Sequence, residues 1–501
     1  MNRNKWIVLT VTVLVAVALV VLLMELGKTR LPATSEAKPL LMYCAAGIKT
    51  PVEAVAREYE QMYHVPVQLQ YGGSGTLLGN LRVAKTGDLY LAADESYMKS
   101  ARQFGLLAET IPLARQYPVI AVKSGNPKHI RTLEDLQRAD VRVALANPDA
   151  ASVGRTVRSL LQSVGKWAAL DKHTAVFKPT VNDVANDVKI GSVDAGIVWS
   201  ATARQYPELE IVNVPLFESA TETINVGVLN SSKQPAAALR FARYLGARDK
   251  GLIEFTKNFY DVVDGDEWAK TPEIVLFSGA MLRPGIEKTL VEFEQREGCR
   301  ITTVYNGCGI LCAQMRAGER PDAYFSCDTS FMRTVADLYL VPEILVDNNL
   351  MILVQKGNPK GIHSITDLTK PGLRVGLPHH EKSAMGNIAW KMLKKMGLYD
   401  AISKNMVVES PTGDLLVNQL RTGSLDAIIA CRTNYTPVRD YLDAIPIDSP
   451  LSAMAEPYAV GRKTRYKYLM TRLLEMLTSA ESQKRFESVG FGWRYQPNAA
   501  Q

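Results

Sequence analysis

Two hydrophobic patterns alternate along this chain. Short continuous apolar runs predict buried strands, and runs whose apolar positions return every three or four residues predict helices with one buried face. Residues 40–44 form the first apolar run. Ala45-Ala46-Gly47-Ile48 follows, then a helix from about Pro51 with Val52, Val55, Ala56 and Tyr59 on one face. Residues 65–71 predict a second strand, Gly72-Gly73-Ser74-Gly75 a turn into a helix opening at Thr76, and residues 88–94 a third strand. This β-α-β-α-β order implies a parallel sheet covered by helices on both faces, with ligands beyond the carboxyl ends of the strands. Further strands are expected at 117–123, 141–146, 195–199, 211–215 and 224–229. Helices are expected at 155–164, 181–190 and 239–256, and Thr132 reads as a helix cap.

From Ile274 the whole pattern begins again. Residues 276–281 repeat 42–47, and Tyr305-Asn306-Gly307-Cys308-Gly309 repeats Tyr71 to Gly75. Asp322 to Asp328 repeats Asp88 to Asp94, Gly357-Asn358-Pro359 repeats Gly125-Asn126-Pro127, and Gly423-Ser424-Leu425-Asp426-Ala427 repeats Gly191 to Ala195. The unit is about 230 residues, so this is a tandem duplication and not a short-period solenoid. Each unit is large enough to divide into two lobes with a cleft between them.

One apolar stretch fits neither pattern. After Arg3 and Lys5, residues 6–24 carry no charge, and at about 1.5 Å per residue such a helix spans roughly 28 Å, close to the hydrocarbon thickness of a bilayer. No small-x-small cleavage site follows it, so an uncleaved transmembrane signal anchor is expected, with the rest of the chain exported. The expected organisation is therefore 1–38 anchor and tether, 39–270 first module and 271–497 second module.

Composition narrows the function. A formal charge of +7 over 501 residues is mild, and no Lys/Arg run with interleaved aromatics occurs, so a nucleic-acid partner is not expected. There is no Gly-x-x-x-x-Gly-Lys-Ser/Thr loop, Ser74 lacks a Gly-x-Ser-x-Gly elbow, and the six histidines form no His-Glu-x-x-His pattern. Binding without catalysis or a cofactor is expected. The glycine-rich loops have the layout of an anion site, because a helix opening there leaves N–H groups unpaired and its dipole favours negative charge. Five of the six cysteines lie in the second half. In an exported chain they read first as disulfides or small buried side chains, and second as a soft-metal or thiol-reactive site at Cys308, Cys327 and Cys431.

The ordered set of motifs resembles the molybdate- and tungstate-binding proteins of ABC importers, once per half over residues 39–495. The resemblance implies an α/β protein of two tandem type II periplasmic-binding modules, each of two lobes around a central cleft, which the apolar N-terminal run precedes with one transmembrane helix. Together they give the expectation of an anchored solute-binding protein in the inner membrane, with its modules facing the periplasm or cell exterior. Its partners would be a small oxyanion, most simply molybdate or tungstate, and an ABC permease. Carried onto this sequence, the family's contacts fall at Gly47, Ile48, Gly73, Ser74, Ser152, Val153, Asn182 and Trp199 in the first module. In the second they fall at Met281, Cys308, Ser383, Ala384, Thr412 and Cys431. The first loop lacks the usual Ser, and Trp199 replaces a usual Tyr, which bears on ligand identity more than on fold. The departure of Cys308 from Ser74 keeps open an alternative: an anchored sensor or scaffold with one ligand-binding module and one partner- or metal-binding module.

Overall fold

The fully buried apolar runs become central strands, as they must when helices cover both faces of a sheet. The computed structural model describes residues 38–496. In the first half, one sheet of six strands runs in the order Asp261–Val262, Leu107–Gln116, Glu222–Leu229, Leu89–Ala92, Leu40–Ala45, Val67–Gly72. Leu40–Ala45 is parallel to both neighbours, and Glu222–Leu229 is antiparallel to Leu89–Ala92. A second sheet of five strands runs Val176–Lys178, Val143–Ala146, Ala195–Trp199, Pro118–Lys123, Leu209–Val212. The chain passes between the sheets at Tyr117 and returns between Val212 and Glu222, so each half-module is a lobe joined to the other by two crossings.

The second half repeats this order with one change. Where the first half interrupts its strand before Pro118, which has no N–H to give a ladder, the second half has Leu350. Its strand Glu343–Gln355 continues for 13 residues and pairs with Ala453–Val460 in one lobe and with Ala427–Cys431 and Leu442–Pro446 in the other. The two lobes of the second half thus share a single ten-stranded sheet.

Several expectations need correction. The helix after the first glycine-rich loop begins at Ser74, not at Thr76, its counterpart in the second half begins at Cys308, and the helix expected at 155–164 is Ser152–Ser163. The helix expected over 239–256 is two, Pro235–Leu245 and Gly251–Lys257. The strand Leu107–Gln116 was not anticipated. Asp94 and Asp328 cap the helices that follow them. The carboxylates of Asp194 and Asp426 accept from the N–H of Arg142 at 2.7 Å and of Arg374 at 2.9 Å, tying together the starts of adjacent strands. The expected transmembrane helix lies outside the described residues, among which no helix is long and apolar enough to cross a membrane.

The halves pack against each other through the helices Pro235–Leu245 and Arg283–Glu297. Glu297 is fully buried there. Arg472 donates Nε to its Oε1 at 2.8 Å and Nη2 to its Oε2 at 3.0 Å, and Arg243 of the first half approaches it at 4.0 Å. Asp266, between the halves, accepts from the N–H groups of Tyr468 and Leu469 at 2.8 and 2.9 Å, at the start of the helix Lys467–Leu477.

Candidate functional site

Three helices of the first half point their N-termini at one spot. Ser74–Ala84 starts in one lobe, and Ser152–Ser163 and Val181–Ile190 start in the other. Their first residues, with Ala46, Gly47, Gly73, Thr180 and Trp199, line a narrow crevice between the lobes. Among the described residues no hydrogen bond engages the backbone N–H of Ser74, Ser152 or Val181, as befits the first position of a helix. The two serine hydroxyls are already acceptors: Ala93 N–H donates to Ser74 Oγ and Trp199 Nε1–H to Ser152 Oγ, each at 3.2 Å. With an acceptor lone pair used inside the protein, each hydroxyl keeps its proton for a ligand. No lysine or arginine lines the crevice. It offers a small acceptor-rich solute directed N–H and O–H dipoles, supplemented by helix dipoles.

The lobes already touch around this crevice. Gly75 N–H donates to Ala150 O at 2.8 Å, and the Tyr97 hydroxyl lies 3.3 Å from Asp149 O, both across the gap. At the second crossing, burial and then the charges of Asp94 and Glu95 push the Glu222 carboxyl up to about 7. A raised carboxyl stabilises the fold below the ordinary carboxylate range, and that contribution is lost as pH rises through about 7. Glu222→Gln should therefore raise the thermal midpoint at pH 8 and leave it unchanged at pH 4, which melting curves at the two pH values will check.

Of the residues expected from sequence, Gly47, Gly73, Ser74, Ser152 and Trp199 meet at the first crevice. Ile48 and Val153 do not line it, since their side chains are buried in the core of the first half. Asn182 also lies off it, with its amide directed to the Tyr206 hydroxyl at 3.5 Å. In the second half Met281, Cys308, Ser383, Ala384 and Thr412 meet at an equivalent crevice of about 350 Å³. Cys431 does not. It stands where Trp199 stands in the first half, but its short side chain reaches only Met454 Sδ, at 3.5 Å. Of the expected cysteine trio, only Cys308 and Cys327 line the crevice. The sequence reading missed Asn434 and Asp414, which line it, and Thr202, whose buried hydroxyl has no partner near Gly47. Their signal was weak, because each is an ordinary polar residue one turn past a strand end.

Two arginines in the loops of the second half are engaged elsewhere. Arg283 pairs with Glu287 and covers the Tyr305 ring, and Arg432 donates to Gly490 O. Nitrogen and oxygen atoms of His379, His380 and Glu409 gather within 4.8 Å of one another. His379 Nδ1, however, already accepts from the N–H groups of Glu381 and Lys382 at 3.2 and 3.3 Å, which leaves the proton on Nε2 and disfavours a metal there. All six cysteines are free thiols.

Sequence comparison matches residues 40–260, and again 274–492, to the family described as bacterial extracellular solute-binding protein. The molybdate-binding protein ModA of Mycobacterium tuberculosis is 28% identical over 252 residues, covering 48% of this chain and 94% of that protein. Among solved structures, the periplasmic molybdate-binding protein of Azotobacter vinelandii is 17% identical over 45% of this chain and 100% of that one, with a TM-score of 0.38. The sulfate-binding protein SubI of Mycobacterium tuberculosis is 16% identical over 44% of this chain and 86% of that one, with a TM-score of 0.39.

Proposed function

The chain belongs, in both of its halves, to the bacterial extracellular solute-binding proteins, and from that premise we propose that its first module captures a small oxyanion for an ABC permease. The observation that carries this reading is the convergence of three helix N-termini and two proton-bearing serine hydroxyls on one crevice without a cationic side chain. Burying a dianion without such directed donors would be prohibitive, and here the donors come from both lobes. Ligand therefore favours the closed arrangement, because only that arrangement lets it contact both lobes at once. Molybdate or tungstate is our choice of solute, molybdate being the anion for which the similar ModA is named. We further propose that the modules run 39–270 and 271–497, and that the N-terminal segment anchors them outside the cytoplasmic membrane.

Calorimetric titration with molybdate, tungstate, sulfate and phosphate tests the reading. One tetrahedral oxyanion should bind the first module. Ser74→Ala should weaken it by about 1–3 kcal/mol, the cost of losing a charge-assisted hydrogen bond. Unchanged affinity would remove Ser74 from the site, and no binding of any of the four anions would remove the proposal.

A further inference from the structure

The second crevice is lined with sulfur where the first is lined with oxygen or small carbon side chains. Cys308 occupies the place of Ser74, Cys327 that of Ala93 and Met281 that of Gly47, and Met385 joins them. Cys327 N–H donates to Cys308 Sγ at 3.2 Å, so the two thiols share one wall. Gly279, at the end of the strand Glu273–Gly279, replaces Ala45 of the first half. A Cβ there would lie 1.9 Å from Cys327 Sγ and 3.1 Å from Cys308 Sγ, so this glycine is what admits the thiol pair.

Charge points the same way. No lysine or arginine lines the crevice, and Asp414 adds a carboxylate where the first half has the neutral Asn182. Glu456, in the place of the apolar Ile224, is fully buried, and neither of its carboxyl oxygens has a hydrogen-bond partner among the described residues. A dianion would meet the Asp414 carboxylate here, and a thiol, which donates poorly, where the first crevice offers the Ser74 hydroxyl. Thiolate and thioether sulfurs instead select soft cations.

We propose that the second crevice binds a soft monovalent d10 cation of the Cu(I) and Ag(I) class, held by the sulfurs of Cys308 and Cys327 with the thioethers of Met281 and Met385. On binding, the S–H bonds of Cys308 and Cys327 break, both protons go to solvent, two thiolate–metal bonds form, and no electron is transferred. The proposal does not depend on what the first crevice holds.

The test is titration of the reduced full-length protein with Cu(I) buffered by a chromophoric chelator, with Ag(I) and Zn(II) as competitors. We expect one Cu(I) per chain, displaced by Ag(I) and not by Zn(II). Cys308→Ser and Cys327→Ser should each lower affinity by ~100-fold, the scale on which damage to a metal site is felt. Cys299→Ser, at the opposite end of the same lobe, should leave it unchanged. Because a crevice substitution could loosen the lobe, X-ray absorption at the copper edge of the unsubstituted protein provides an independent readout, expected to give sulfur-only ligation. A shell dominated by nitrogen, which would move the site to His379 and His380, overturns the proposal. So does uptake unchanged in the double serine variant, or a Cys308–Cys327 disulfide in protein isolated without reductant.

Discussion

Glu297→Ala should destabilise the protein by about 3–5 kcal/mol, the cost of stranding a buried charge. The carboxylate it removes is fully buried, and its bidentate partner Arg472 is also buried. Arg243 reaches the same carboxylate from the other half, and its Nε and Nη2 have no hydrogen-bond partner among the described residues. Without Glu297, two guanidinium groups remain in the interface with no nearby countercharge of comparable geometry. Urea unfolding followed by fluorescence will measure the effect, since Trp268 reports on this region through its bond to Tyr63. A loss below about 1 kcal/mol, the range of an exposed pair, would place the cluster in water and not in the interface. Replacing Glu297, Arg472 and Arg243 together by apolar residues should recover most of the loss, because a buried ion cluster is costly to break and cheap to remove whole. The pH dependence has a definite sign. Burial pushes the Glu297 carboxyl up, but the guanidinium of Arg472 and then those of Arg243 and Arg296 more than offset it, leaving it below the usual carboxylate range. Its contribution is therefore present at neutral pH and is lost as pH falls through that depressed value, so the variant and the parent should converge in acid.

Gly73→Ala should lower oxyanion affinity of the first module by ~100-fold, the penalty when the binding-competent form falls to about 1% of the population. A methyl group at this position would lie 2.3 Å from Ala150 O and 2.7 Å from Pro179 O, both backbone atoms of the opposite lobe. Backbone carbonyls cannot step aside as the far end of a flexible side chain can. The lobes must separate, which removes the Gly75 N–H to Ala150 O bond and parts Ser74 from Ser152. Scattering in the presence of ligand should show the parent compacting and the variant remaining open. Equal compaction of both would mean that closure does not pass through this contact. The substitution leaves Ser74 and its hydroxyl intact, so it separates loss of closure from loss of a donor.

Much of the architecture was legible because each buried strand is a short uninterrupted apolar run, and because the duplication presents every motif twice. Leu107–Gln116 escaped because it mixes Glu109 and Arg115 with apolar residues, being buried on only part of its length near the edge of the sheet. Ser74 and Ser152 were found through their loops, but the helices start on these residues, and that detail turns a loop serine into a donor of both N–H and O–H. Cys431 was misplaced because position alone suggested the cleft, whereas reach decides: an indole at that position spans to Ser152 and a thiol does not. The Glu297 cluster could not be read at all. Its members stand on separate helices whose sequences look like ordinary charged surfaces, and only the docking of the two halves buries them.

The unbroken strand Glu343–Gln355 gives the second module a different mechanical character from the first. Parting the lobes of the first module can be absorbed by torsions around Tyr117, where the sheet is already cut. In the second, the same motion must flex a continuous ribbon whose ladder runs from one lobe into the other. A solute held in the second crevice should therefore exchange more slowly than one held in the first.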